Sequence, residues 1–86
     1  MPAGKQHYQM RKEIYTTIEQ LIKNNENGIT INDIWFHITR KFGIGKTIIK
    51  NYVDALEKNG FVKIMNPEKA QEEEWLYSWK KQAEEQ

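Results

Sequence analysis

Three helices followed by a C-terminal β-hairpin, an α+β and mainly helical domain, is the architecture that the residue pattern of this chain implies. Apolar residues recur at helical spacing in three stretches, each closed by Asn or Gly. After Gly60 the apolar period drops from 3.6 to 2. The 86 residues suffice for one hydrophobic core and not for two, so 1–86 reads as a single domain. Its ordered part is expected at about 8–79, with flexible ends at about 1–7 and 80–86.

Ile14, Ile18, Leu21 and Ile22 lie at i, i+4, i+7 and i+8, one stripe of an amphipathic helix over about 10–25. Asn24-Asn25-Glu26-Asn27-Gly28 stops it. Ile29-Thr30 has room for no more than a stub of strand. Thr30 and Asp33 form a relaxed capping box, an acid replacing the usual Glu or Gln, so the second helix starts near Ile31. Its stripe is Ile31, Ile34, Trp35, Ile38 and Phe42.

Gly43 stands where a left-handed stop belongs, with Ile44 placed to fold back on Ile38. Gly45 then N-caps a third helix over about 46–59, whose expected buried stripe is Ile48, Ile49, Tyr52, Val53 and Leu56. Gly60 and Phe61 repeat the same stop, Phe61 meeting Leu56. The run Phe61-Val62-Lys63-Ile64-Met65 reads as a strand that Asn66-Pro67 terminates. Trp75-Leu76-Tyr77-Ser78-Trp79 fits a strand or a helix equally by periodicity. A lone strand is not viable in water, which favours pairing the two segments as a hairpin.

This order of elements resembles the winged helix-turn-helix family over about 10–79. The residues that carry the resemblance are Gly28-Ile29-Thr30-Ile31-Asn32-Asp33-Ile34, the turn Phe42-Gly43-Ile44-Gly45, and the exit Leu56-Glu57-Lys58-Asn59-Gly60-Phe61-Val62. The resemblance implies a double-stranded DNA-binding protein, a small transcriptional regulator, with helix 46–59 in the major groove and the hairpin as its wing. The competing function in such folds is a protein–protein interaction module.

Helical geometry agrees with the first implication. At 100° per residue, the apolar stripe of the third helix leaves Thr47, Lys50, Asn51, Asp54 and Lys58 opposite it, with Lys46 beside them. Lys contacts phosphate or guanine, Asn pairs with adenine through two bonds, and the Thr methyl meets a thymine methyl. The first two turns contain no acid. Lys46 sits at the positive end of the helix dipole and Asp54 and Glu57 near the negative end, each misplacement costing about 0.3–1 kcal/mol. Lys46 and Lys50 add a like-charge i,i+4 pair of about 0.2–0.5 kcal/mol. An anion at this end would turn both costs into binding energy. Arg40, Lys41 and Lys69 are expected on the DNA backbone.

Charge placement allows a nucleic-acid face without establishing one. Residues 1–63 carry ten Lys/Arg against six acids, a net of +4, whereas 64–86 carry three Lys against six Glu, a net of −3. Lys69 beside Glu68, Glu72, Glu73 and Glu74 makes an acidic wing, which repels phosphate. The aromatics suggest a homodimer: Tyr8 and Tyr15 share a flank of the first helix, and Trp75 and Trp79 are only partly covered in a domain this small.

Other chemistries find no support. The chain has no cysteine, hence no disulfide, thiolate metal site or thiol nucleophile. Gly43-Ile44-Gly45-Lys46-Thr47 ends like a phosphate-binding loop, but the motif needs Gly where Arg40 stands and a strand where a helix stands. His7 and His37 have no partner at metal-ligand spacing, and Ser78, the sole serine, lies in no nucleophile elbow. No enzymatic activity, cofactor or metal is expected. No aliphatic or aromatic run exceeds three residues, such as Ile34-Trp35-Phe36, and Met1-Pro2-Ala3-Gly4-Lys5 lacks the apolar stretch of a signal peptide. A cytoplasmic protein, nucleoid-associated when on DNA, is expected.

Overall fold

The computed structural model describes residues 3–80, with side chains from Met10 onward. Its elements are α1 (Ala3–Asn24), α2 (Ile31–Phe42), α3 (Lys46–Lys58), β1 (Val62–Ile64), a 3-10 turn (Glu72–Glu74) and β2 (Tyr77–Trp79). Three helices followed by a two-stranded antiparallel hairpin is the layout of a winged helix. Val62 pairs with Trp79, Lys63 with Ser78 and Ile64 with Tyr77. Ile29 adds the expected stub: it exchanges two backbone bonds with Tyr77, at 3.0 and 2.9 Å, and so ties the α1–α2 connection to β2.

The core lies where the three helical stripes meet the inner face of the hairpin. Ile18 and Ile22 from α1, Ile34 and Ile38 from α2, Ile49 and Val53 from α3, and Val62 and Tyr77 from the strands are fully buried. Alternation along β2 puts Tyr77 and Trp79 on the helix side, facing Ile64 and Val62 across the ladder. Thr30 caps α2 by accepting a hydrogen bond from the Asp33 amide at 3.1 Å. Gly45 caps α3 with extended backbone and no side-chain bond.

Several boundaries and contacts differ from the sequence reading. α1 begins at Ala3, seven residues before the start expected near Met10, and Ile14 is its first buried residue among those whose side chains are described. The two helix stops are not alike. At Gly60 (φ +83°) the Phe61 amide reaches the Leu56 carbonyl and the Gly60 amide that of Glu57, the paired bonds of a Schellman stop. Gly43 (φ +69°) makes one bond, to the Thr39 carbonyl, because Ile44 is drawn into the next turn instead. The Phe61 ring is exposed and stacks on Trp79. Ile48, expected in the core, is 48% exposed. The strands are three residues each rather than five, and Trp75 and Leu76 precede β2. Lys80, expected to fray, donates its amide to the Phe61 carbonyl at 2.9 Å and prolongs the ladder; residues 81–86 lie outside the described ones.

Candidate nucleic-acid interface

The surface formed by the end of α2, the turn 43–45 and the first half of α3 holds most of the residues singled out from sequence. Trp35 fixes the turn: its indole Nε1–H donates to the Ile44 carbonyl at 3.0 Å. The Lys46 ammonium lies 5.3 Å from the centre of the same indole, close enough for cation–π attraction. Arg40 and Lys41, in the last turn of α2, lie over Phe36 and Phe42 at 5.5 Å each. All three residues are exposed, and their charged groups lie over aromatic faces.

On α3 itself, Thr47 and Asn51 are exposed and make no side-chain hydrogen bond among the described residues. No acid occurs in the first turn. Ile48 borders them on the α1 side, above a groove of about 520 Å³ lined by Met10, Ile14, Tyr15, Ile44 and Tyr52 among others. Tyr15 and Tyr52 form the floor of this groove, stacked at 4.0 Å between ring centres, and the Tyr52 hydroxyl donates to the Glu19 carboxylate. Burial and that bond push the Tyr52 phenol above its ordinary value of 10.0.

Lys50 is where the structure departs most from the sequence reading. Its ammonium is held by Asp54 at 3.1 Å and by Glu72 of the wing at 3.2 Å. The side chain is 42% exposed, and the bond to Asp54, opposed by partial burial and aided by Glu72, raises its pKa above 10.5. Lys50 is therefore not the free cation that helical geometry alone suggests. Neither carboxylate is fixed by local sequence spacing to the other, so only the folded hairpin reveals the triad.

The hairpin tip places Glu72. The Asn66 side chain spans the tip, donating to the Glu74 carbonyl at 3.0 Å and accepting from the Leu76 amide at 2.8 Å. Trp75 Nε1–H donates to the Lys69 carbonyl, and the Lys69 ammonium sits 3.6 Å from Glu74. This folds 66–76 back toward α3 and leaves a groove of about 430 Å³ with Lys46 and Lys50 on one wall and Glu72 and Glu73 on the other. Lys69 is exposed but lies beyond this groove, beside its own acid.

Comparison of the chain with protein-family models, with curated proteins and with solved structures finds no match.

The aromatic residues expected to pair two copies are engaged inside the fold. Tyr15 stacks on Tyr52, Trp75 bonds Lys69, and Trp79 lies between Phe61 and the Lys23 ammonium, 4.5 Å from its ring. The Tyr8 side chain lies outside the described ones. Among the described residues no group of three or more His, Asp or Glu is placed to hold a metal ion, and no helix is long and apolar enough to cross a membrane.

Proposed function

We propose that this protein binds double-stranded DNA as a small transcriptional regulator, with α3 in the major groove. The observation that carries the proposal is the exposed outer side of the first two turns of α3, which hold no acid of their own, presented by a turn that Trp35 pins and bordered by Arg40, Lys41 and Lys46. Thr47 and Asn51 are free to meet base edges; Arg40, Lys41 and Lys46 meet phosphate. Lys50 takes part only by leaving Glu72, and Lys69 contributes little from beside Glu74. The first helix, with Met10 47% exposed, supports pairing of two copies there, since an exposed apolar side chain gains by being covered. Light scattering of the free protein would then read twice 10.3 kDa.

The test is fluorescence anisotropy on a random-sequence duplex from about 50 to about 200 mM salt, where phosphate contacts give a steep fall of log K with log salt. Lys46→Ala should weaken binding several-fold and reduce the slope by about one. A second reading, an adaptor for a protein partner, is favoured by the acidic wing neutralising Lys50. Absence of duplex binding at the lowest salt would select it.

A further inference from the structure

We propose that the exposed side of α3 reads A·T base pairs, through methyl and amide groups, and not G·C pairs through cations. The inference rests on the DNA-binding reading above and names the class of duplex it selects. Its starting point is Ile48. An isoleucine that completes an apolar stripe belongs in the core, yet this one stands 48% exposed beside Thr47 and Asn51. Ile48 and Asn51 are three residues apart and Thr47 and Asn51 four, so all three are neighbours within one turn, about 5.4 Å of axis. That length matches about two stacked base pairs at 3.4 Å each.

Each of the three side chains has its best partner on an A·T pair. The Asn51 amide, free of any partner among the described residues, offers one donor and one acceptor, the complement of adenine N7 and N6. The methyl groups of Thr47 and Ile48 have one apolar feature to meet in the major groove, the thymine C5-methyl. The guanine edge shows two acceptors and calls for a cationic donor. α3 contains no Arg, Lys50 is held by Asp54 and Glu72, and Lys46 lies over Trp35 at the turn. The cations of this face are thus positioned for the backbone, and the neutral residues for the bases.

Three short duplexes test this by anisotropy: one of mixed A·T sequence, one of mixed G·C sequence, and the A·T duplex with every thymine replaced by deoxyuridine. Deoxyuridine removes only the major-groove methyl, so it separates methyl contact from groove shape. The A·T duplex should bind roughly tenfold or more tighter than the G·C duplex. The uracil duplex should bind several-fold weaker than its thymine parent, and Ile48→Ala should reduce that difference to the part that the Thr47 methyl carries. Circular dichroism melting checks that the variant is folded. Equal binding of all three duplexes by the native protein would overturn the base preference and leave DNA binding standing, as would a thymine–uracil difference that Ile48→Ala does not reduce. No binding to any duplex at low salt would overturn both.

Discussion

At Gly28 a hydrogen atom is all that the fold admits. Its φ is +96°, and a Cβ there would stand 2.7 Å from the Leu76 Cβ and 2.9 Å from the Met65 sulfur. The left-handed backbone alone disfavours any other residue by about 1–2 kcal/mol, and the Leu76 contact involves an atom fixed to its backbone. Gly28→Ala should therefore lose at least about 2 kcal/mol of stability by urea denaturation, with the m value unchanged if the wing stays docked. Gly28 is legible in the sequence as a helix stop, but the close approach of the hairpin is not, because Leu76 and Met65 meet it only through tertiary contact. Ile48 is the opposite case. Its spacing is right for the core, and it is displaced because Ile49 and Val53 already fill the space between α1, α2 and the hairpin.

The elements were largely readable because each is set by neighbours in the chain. Thr30 with Asp33, Gly43 and Gly60 punctuate the helices within a few residues of the stripes they bound. The strand reading of 75–79 follows from the need of the preceding strand for a partner rather than from its own pattern, and the structure pairs 77–79 of it. What escaped is non-local: the stack of Tyr15 on Tyr52 and the reach of Glu72 to Lys50 join residues far apart in sequence. The wing tip consequently acts on α3. An exposed ion pair contributes about 0–1 kcal/mol, so Glu72→Gln should raise affinity for duplex DNA by no more than about fivefold while scarcely changing the melting temperature. Anisotropy with the random-sequence duplex checks it; weaker binding by this variant would mean that Glu72 positions Lys50 for DNA instead of competing with it.

Across the whole molecule the basic helices and the acidic C-terminal part do not remain separate fields, since Lys50 and Glu72 bring them into contact. The same region governs the response to alkali. Tyr52 and Tyr77 are both raised above 10.0, chiefly by burial, and Lys50 above 10.5, chiefly by its bond to Asp54. Each favours its protonated form more in the folded state than in the unfolded chain, so the stability it contributes is complete below pH 10 and is lost as pH rises beyond. Thermal melting followed by circular dichroism should show a decline that begins near pH 10 and is shallower in Tyr52→Phe. The pair of backbone hydrogen bonds between Ile29 and Tyr77 carries one more consequence. Because Tyr77 is 1% exposed and clasps the entrance of α2, the hairpin is a keystone and not an appendage. Deleting it would open the helices to water, whereas exchanging the tip between Asn66 and Leu76 would retune the molecule's reach and leave its vault standing.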